Sequence, residues 1–405
     1  DRSPSRGLGD VYKRQLLDGG DGRTLAVESR MNPQAQYGAD VIMRANYALE
    51  HGTEALSMCV RKAVNEMLGS LAEDAGIRRE DVFQVCVVGN TCMHHLFLGI
   101  SPASLVHAPY TPAVSERLVL NAGDYGLAVQ ERAELIMLSD IAGYVGADTC
   151  GCLLAIRQDQ QEEISLMIDI GTNGEMVLGN RERMVTCSTA AGPAFEGAKI
   201  ECGMRGAAGA VDHVKYEDGK WNYTTVGNKP AVGLCGSGLI DLVAGLLDAG
   251  MLDENGVLRS GQEKQGVFIL VLPERGGNER GVYLTQKDLG EVQLAKAAIA
   301  AGIQMLMERL GITEDDICSV YIAGAFGNYM DPVSAGKIGL FPATLVKKVK
   351  PVGNAAGEGA KIALVNEKEM LEMDELVRKI EFVELAASAD FQDHFIDELG
   401  FETGE

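Results

Sequence analysis

Apolar residues follow helical spacing in some stretches of the chain and strand spacing in others. Residues 53–75 and about 289–310 carry apolar side chains at helical intervals, which predicts two long helices. Runs rich in apolar and β-branched residues at 82–88, 164–170 and 320–323 predict strands. Each of these runs leads directly into a turn that contains glycine. The alternation predicts an α/β protein with glycine turns at the ends of its strands.

Weaker patterns connect these elements. Small residues make the chain helix-like from Ile141 onward, and residues 233–250 predict a helix that a C-terminal glycine caps. Residues 353–365 are also helix-like. Residues 380–385 are typical of a strand and precede an amphipathic tail.

The start of the chain differs from the rest. Residues 1–15 (DRSPSRGLGDVYKRQ) match neither the helical nor the strand pattern, and they are interpreted as a non-native leader that resembles translated adapter sequence. From Leu16 the sequence predicts an apolar stub, a Gly/Asp turn and an alternating strand. This strand is expected to lack its partner upstream.

Composition narrows the class of partner. The chain has 405 residues, 46% hydrophobic and 23% charged, and its formal charge is −22. That charge repels phosphate backbones and anionic lipid surfaces, so neither nucleic acid nor a membrane is expected as a partner. No stretch approaches the length of an apolar membrane span or a signal core. A cytoplasmic protein is predicted.

The cysteines indicate a reducing compartment. There are nine, they are scattered, and most lie in apolar runs. Only Cys150 and Cys152 are close in sequence, and they lack the additional ligands that a zinc or iron–sulfur site requires.

One turn carries the sharpest chemical signal. Asp169 ends a predicted buried strand and is followed by Gly171-Thr172-Asn173-Gly174-Glu175. Glycines allow backbone N–H groups to approach phosphate oxygens, while Asp169 can hold Mg²⁺ directly or through water. A Walker loop is excluded because its lysine and following helix are absent. Taken alone, the segment also fits an ordinary β-hairpin with a glycine turn.

Other polar residues allow two interpretations. His94 and His95 begin a predicted helix, for which Thr91 as N-cap is favoured over a metal site. Glu196 and Asp212 follow the glycine turn. Either they orient a water molecule or Mg²⁺, or they are carboxylates of solvated loops.

The turn after Asp169 resembles the second phosphate-binding hairpin of the superfamily of actin, sugar kinases and heat-shock ATPases. The small-residue segment 141–148 is similar to the first connecting helix of that superfamily. Gly324-Ala325-Phe326-Gly327 resembles its nucleoside-binding turn, and Gly353-Asn354 resembles the head of its second connecting helix. The order of these parts agrees with the superfamily. The resemblance implies a two-lobed, actin-like ATPase (ribonuclease H-like) fold with an interlobe nucleotide cleft.

Within that superfamily, the chain resembles the C-terminal part of the reductive activators of corrinoid proteins. The motifs that carry this resemblance are Met31-Asn32-Pro33-Gln34, Tyr37-Gly38-Ala39-Asp40, 88–91, 190–197, 236–241, 323–328 and 383–386. The resemblance implies that ATP drives reduction of Co(II) to Co(I) in a corrinoid protein or a corrinoid-dependent methyltransferase. It also implies an electron donor in a ferredoxin-like [2Fe-2S] module, for which this chain has no four-cysteine pattern.

The resemblance assigns roles to residues and lobes. Asp169 and Glu175 are expected at the catalytic Mg²⁺, 171–174 at the phosphates of ATP, and 324–327 with 353–354 at the nucleoside. The first lobe is expected at 16–165, the second at 166–350, and a connecting helix and tail at 351–405. The first phosphate hairpin, expected just before Leu16, is not recognisable. Two alternatives remain: a non-catalytic nucleotide-binding scaffold or sensor of the same fold, and a small-molecule kinase.

Overall fold

The computed structural model describes residues 11–38, 40–259, 266–324, 326–386 and 388–401. Residues 1–10 of the predicted leader, Ala39 and Ala325 lie outside the described residues. The strands are β1 (Val11–Leu17), β2 (Thr24–Met31), β3 (Gln84–Val87), β4 (Leu118–Asn121), β5 (Glu134–Met137), β6 (Ile164–Ile170), β7 (Gly174–Gly179), β8 (Met184–Thr189), β9 (Ala210–Glu217), β10 (Lys220–Thr225), β11 (Gly233–Leu234), β12 (Val267–Val271), β13 (Val282–Thr285), β14 (Ile317–Ala323), β15 (Val349–Gly353) and β16 (Glu381–Phe382). The helices are α1 (Val41–His51), α2 (Glu54–Ala75), α3 (Thr91–Leu98), α4 (Ala103–Val106), α5 (Ala147–Ile156), α6 (Gly236–Asp248), α7 (Gln286–Leu310), α8 (Pro332–Lys337), α9 (Ala355–Val365), α10 (Glu367–Val377) and α11 (Ala389–Asp397).

A mixed six-stranded sheet organises the second half of the chain. Its order is β15-β14-β6-β7-β8-β16. Strands β6, β7 and β8 form an antiparallel meander, whereas β14 runs parallel to β6 and to β15. Parallel neighbours end at the same edge of a sheet, so the turns after β6 and β14 lie side by side.

The two faces of this sheet pack against different helices. Leu166, Ile168 and Ile170 of β6 join the large core that contains α6 and α7. The alternate residue Met167 faces a second core, formed with α5 and α9. Because both faces of the sheet are covered, most residues of β6 are apolar.

The first half of the chain has a smaller sheet and its own cores. Strands β3, β5 and β4 form a three-stranded sheet, with β3 parallel to β5 and β4 antiparallel. Helix α2 packs its apolar stripe on this sheet, and α1, α3 and α4 enclose a further cluster. The architecture is the predicted two-lobed α/β fold.

The long helices begin and end close to the predicted positions. Helix α2 follows Thr53 and ends at Gly76, which adopts a left-handed conformation with φ 68°. Helix α7 begins three residues before the predicted start, because Thr285 and Asp288 form a reciprocal capping box that extends it to Gln286.

The prediction of a helix from Ile141 is wrong. Residues 141–146 form a turn in which Ala142 bridges Val145, and α5 begins only at Ala147. Gly146 explains the boundary, since a Cβ atom there would lie 2.5 Å from the Cα of Asn90. The backbone at 146 therefore packs directly on the turn that precedes α3.

Helices α5 and α9 cross at glycines. A Cβ on Gly359 would lie 1.8 Å from the carbonyl oxygen of Gly151, and a Cβ on Gly151 would lie 2.6 Å from the carbonyl oxygen of Ala356. The two backbones are in contact, as predicted for the connecting helices. The contact uses Gly151 inside α5, which lies after the small-residue segment 141–148 that the sequence analysis compared with the first connecting helix.

The expectation that the strand after Leu16 lacks a partner is wrong. Strand β1 begins at Val11 and pairs antiparallel with β2 throughout its length. Residues 11–15 therefore belong to a hairpin, although their sequence shows no clear strand pattern. Its turn packs on neighbouring apolar residues: a Cβ on Gly19 would lie 2.8 Å from the Phe83 ring.

Candidate functional site

Asp169 occupies the end of β6, where three strands meet. In the sheet it is paired with Glu175 of β7 on one side and with Ala323 of β14 on the other. Residues paired in this way share a face, so both carboxylates lie on the side covered by α5 and α9. Asp169 is only 3% exposed, and its Oδ1 atom is buried without a hydrogen-bond partner. A buried carboxylate oxygen in this state is costly unless a ligand completes it.

The glycine turn after Asp169 is tightly held. The Gly171 N–H donates to the carbonyl of Asn173 at 2.9 Å, and the Gly192 N–H donates to the carbonyl of Thr172 at 2.9 Å. Gly174 leaves no room for a side chain, since a Cβ there would lie 2.9 Å from Thr189 Oγ1. The turn is therefore fixed from both sides before any ligand binds.

Glu196 lies against this turn. The Thr172 hydroxyl donates to both carboxylate oxygens of Glu196, at 3.3 and 3.4 Å. A Cβ on Gly171 would also be 3.5 Å from Glu196 Oε1. Glu196 therefore occupies the space beside the Thr172 hydroxyl and Gly171. Asp212 does not join it: this residue accepts from Thr224 on the exposed β9–β10 hairpin.

Asp148 is a site residue that the sequence analysis did not select. It lies in the first turn of α5, and its N–H donates to the carbonyl of Gly89 at 3.3 Å. Its charge acts on both Asp169 and Glu175. The only sequence signal was its position in the small-residue segment before the glycine turn.

Burial and mutual repulsion raise the proton affinity of these acids. Burial raises the pKa of Asp169 to about 8, and repulsion from Asp148 and Glu196 adds to the effect. Burial likewise raises the pKa of Asp148 to about 6 and holds the pKa of Glu175 well above its usual range. Burial also raises the pKa of Glu196, although hydrogen bonds from Thr172 oppose the shift. A cation placed among these groups would favour their ionised forms.

A buried pair of side chains, His94 and Asp140, fixes the start of α5. His94 Nδ1 and Asp140 Oδ2 are 3.1 Å apart, and Asp140 Oδ1 accepts from the N–H of Ala147 at 2.9 Å. Burial opposes protonation of His94, but its interactions with Asp140, Asp148 and the backbone of Val87 together raise the His94 pKa. The N-cap of α3 is Asn90 and not the predicted Thr91. The Thr91 hydroxyl donates instead to the carbonyl of Ala142.

The acidic side chains around Asp169 suit one hard cation that takes most of its ligands from water and phosphate. Over the described ranges no group of three His, Cys, Asp or Glu side chains is arranged to hold a metal ion together. Mg²⁺ commonly takes one or two protein carboxylates, with water and phosphate oxygens as its remaining ligands. The unpartnered Oδ1 of Asp169 fits such a position. The pair Cys150 and Cys152 does not, since both thiols are buried in the core beside α9.

The predicted nucleoside turn lies at the same sheet edge. Gly324 follows β14 with φ 78°, and its N–H donates to the carbonyl of Gly353 at 2.8 Å. Gly353 has φ 60°, and Asn354 precedes α9 without making a capping hydrogen bond. The structure therefore places the predicted residues Gly324, Gly353 and Asn354 close together, whereas Ala325 lies outside the described residues.

Phe326 connects this turn to the loop that carries Glu196. Its ring stacks on Phe195, with centroids 5.9 Å apart and planes at 21°. Gly236 permits the contact, since a Cβ there would lie 2.7 Å from the Phe326 ring and 2.0 Å from the Phe195 carbonyl oxygen. Gly327 packs closely on Ile322 in the same way. The loop 190–197 therefore touches both predicted subsites.

This fold, with a glycine turn after an acidic strand end and crossing helices beside it, defines a protein of the actin-like ASKHA class. Residues 163–405 match the family described as the C-terminal domain of RACo, the ASKHA domain. Residues 11–161 match the RACo middle region, so the match begins where β1 begins. The chain belongs to the RACo family.

Curated and solved relatives agree with this family. The chain is 35% identical to the corrinoid activation enzyme RamQ of Eubacterium limosum over 399 residues, 94% of this chain and 67% of that protein. It is 26% identical to the [Co(II) methylated amine-specific corrinoid protein] reductase of Methanosarcina barkeri, over 97% of this chain and 75% of that protein. A solved reductive activator for corrinoid,iron-sulfur protein superposes with TM-score 0.86 at 36% identity, over 98% of this chain and 67% of that one.

Proposed function

We propose that the protein uses ATP to activate a corrinoid protein by allowing reduction of its Co(II) to Co(I). The relatives named for corrinoid activation and corrinoid-protein reduction support the target, and the ASKHA family supports the nucleotide. The observation that carries the ATP assignment is Asp169, whose buried Oδ1 has no partner and lies beside a fixed glycine turn. Among the described residues, none of the helices is long and apolar enough to traverse a bilayer.

The chain's own residues divide the work at the nucleotide. Asp169 holds Mg²⁺, which when bound neutralises phosphate charge and polarises the bond that breaks. Residues 171–174 receive the phosphates through backbone N–H groups and the Thr172 hydroxyl. Residues 324–327 and 353–354 approach the nucleoside. The lobes 16–165 and 166–350 enclose the nucleotide, and segment 351–405 links them.

Two further acids act on the attacking water. Glu175 is paired with Asp169 in the sheet, and the charge of Asp148 in α5 acts on both. In its ionised form Asp148 can accept a proton from water. We assign it the role of general base, with Glu175 orienting the water beside it.

The electron comes from another group. Cobalt reduction consumes one electron and forms no covalent bond to this chain. Cys150 and Cys152 are buried thiols within a helix contact, so we assign them no part in the transfer. We propose a ferredoxin-like [2Fe-2S] module, or an equivalent one-electron donor, as the reductant. ATP hydrolysis then supplies the conformational work that makes the transfer favourable.

The decisive experiment measures hydrolysis and cobalt reduction together. The protein is mixed with ATP, Mg²⁺, a reductant and a Co(II) corrinoid protein, and both phosphate release and the visible absorption of Co(I) are followed. Hydrolysis that rises with the corrinoid protein, accompanied by Co(I), supports the proposal. Nucleotide binding with neither hydrolysis nor Co(I) would establish a scaffold or sensor instead. Hydrolysis stimulated by a sugar or a carboxylic acid would establish a small-molecule kinase.

A further inference from the structure

A wide, open surface cavity of about 580 Å³ lies beside α2 in the first half of the chain. We call it the α2 cavity. Its floor is one face of the helix, with Met58, Arg61, Lys62 and Asn65 at helical spacing, and Arg79 and the turn at 124–126 form the walls. None of the residues that line it belongs to the nucleotide site described above.

The walls are held in place without a ligand. Asn65 donates to the carbonyl of Gly126 and accepts from the N–H of Ala128, each at 2.7 Å. The Arg61 Nε donates to the carbonyl of Phe97 at 2.9 Å, and its guanidinium lies 5.0 Å from the centre of the Tyr125 ring. A preformed cavity loses little entropy when it binds a small molecule.

The cations of the lining lack acidic partners. In the part of the chain that the structure describes, Arg61, Lys62 and Arg79 form no ion pair. Glu66 also lines the cavity, but Arg30 already binds it at 2.8 Å. Asp124 is then the remaining carboxylate of the described lining. The lining therefore carries three cations against two carboxylates, a net charge of +1, on a chain whose formal charge is −22.

The position of Arg79 depends on a glycine. A Cβ on Gly69 would lie only 2.0 Å from Arg79 Nη2, so the arginine lies across α2 in space that any other residue would fill. From there Arg79 lines both the α2 cavity and a neighbouring cavity, whose other charged residues are Arg30, Glu66 and Glu73. Its fork of N–H donors suits the oxygens of a phosphate group.

We propose that the α2 cavity binds a small phosphate-bearing molecule with an apolar or aromatic part. Lys62 and Arg79 contact the phosphate, while Met58 and the Tyr125 ring contact the apolar part. This site is separate from the nucleotide turn, and the inference does not depend on ATP hydrolysis.

Phenyl phosphate tests this chemistry directly, because it combines a phosphate with one ring. Binding is measured by calorimetry on the full chain, together with inorganic phosphate and the neutral analogue benzyl alcohol. The Lys62→Gln/Arg79→Gln variant is expected to weaken phenyl phosphate binding by about tenfold or more. A matched variant, Arg132→Gln/Lys347→Gln, removes two exposed cations elsewhere and is expected to bind like the parent protein.

Each outcome decides a part of the inference. Phenyl phosphate binding that only the cavity variant loses supports the site, and weaker binding of inorganic phosphate supports the apolar contact. No saturable binding at ligand concentrations of about 10 mM overturns the inference. Equal losses in both double variants overturn it too, since they would reflect general charge. Thermal unfolding midpoints that match the parent protein exclude misfolding of the variants.

Discussion

At the scale of single residues, Asp169 combines features that are unfavourable in isolation. It is almost fully buried, has an unpartnered oxygen and lies near other acids. A carboxylate in that position destabilises the ligand-free protein and becomes favourable when a divalent cation binds. The position of Asp169 is therefore unfavourable for the stability of the ligand-free protein and is consistent with the proposed cation-binding role.

Replacement of this carboxylate tests its role. Asp169→Asn preserves the shape of the side chain but removes the charge that would hold Mg²⁺. ATP hydrolysis is expected to fall at least about 100-fold, while the fold is retained. Phosphate release and circular dichroism measure the two effects. Asp212→Asn, on the exposed β9–β10 hairpin, is the control and is expected to leave hydrolysis unchanged. Undiminished turnover in Asp169→Asn would exclude this residue from the site.

The raised pKa of Asp169 also makes a prediction about stability. In the folded protein the Asp169 carboxyl keeps its proton up to its pKa of about 8, whereas in the unfolded chain it releases that proton near pH 3.8. The folded state therefore binds more protons between these values, and the free energy of unfolding falls as pH rises through them. Above about pH 8 this contribution no longer changes. The uncharged Asn variant lacks it.

Urea unfolding of both proteins, without Mg²⁺ or nucleotide, measures this difference. Asp169→Asn is expected to gain stability relative to the parent protein as pH rises from about 5 to about 8. The comparison cancels groups that titrate equally in both proteins. Parallel stability curves over this range would show that the carboxyl is not perturbed as described.

Local chemistry made part of the site predictable. Asp169 and the turn at 171–174 are adjacent in sequence, so the sequence selects them together as a candidate phosphate site, although taken alone the segment also fits an ordinary β-hairpin. Glu196 and Asp148 reach the site through tertiary contacts with Thr172 and with the acids of β6 and β7. No periodicity in the sequence encodes those contacts. The sequence analysis therefore missed Asp148, and it left two interpretations of Glu196 open.

At the scale of elements, buried strands and long helices were predictable because their patterns extend over many residues. Strand β1 was not, since a two-stranded hairpin places few of its residues in a core. The start of α5 was also misplaced. The small residues before it serve a backbone contact between Gly146 and the 89–91 turn, and small residues in a row resemble a helix contact.

The crossing of α5 and α9 gives a prediction for one glycine. Gly359→Ala puts a methyl group where the nearest atoms are the backbone of Gly151, which cannot rotate away. The free energy of unfolding is expected to fall by about 2 kcal/mol, because overpacking outweighs the helix propensity that alanine adds. Urea unfolding monitored by circular dichroism measures the change.

Gly290 provides the matched control within α7. A Cβ at this position meets nothing within 4 Å. Gly290→Ala is expected to raise the free energy of unfolding by about 0.5–1 kcal/mol through helix propensity alone. If both substitutions stabilise the protein, the helices do not cross as closely as described.

At the scale of the whole molecule, α10 links the two halves of the chain. Asp374 accepts from Arg117 Nε at 2.8 Å and from the Ser139 hydroxyl at 2.9 Å. Both partners belong to the first half, whereas α10 shares a core with α9 and the six-stranded sheet. Any movement of one half against the other changes these bonds.

A double-mutant cycle measures how strongly this link couples the halves. Arg117→Met and Asp374→Asn remove one charge each and preserve much of the side-chain volume. The pair is largely enclosed, with exposed fractions of 19% and 18%, so solvent screens it weakly. A coupling free energy of about 1 kcal/mol or more is expected from urea unfolding of the four proteins.

The exposed pair Lys368 and Glu372 on the same helix is the control for that cycle. Its side chains are 80% and 47% exposed and 3.4 Å apart. Its coupling is expected to stay below about 0.5 kcal/mol. If the Arg117–Asp374 coupling is equally small, α10 rests on the first half without holding it. In that case other contacts hold the halves together, among them the Arg157–Glu369 ion pair and the backbone contact of α5 with α9.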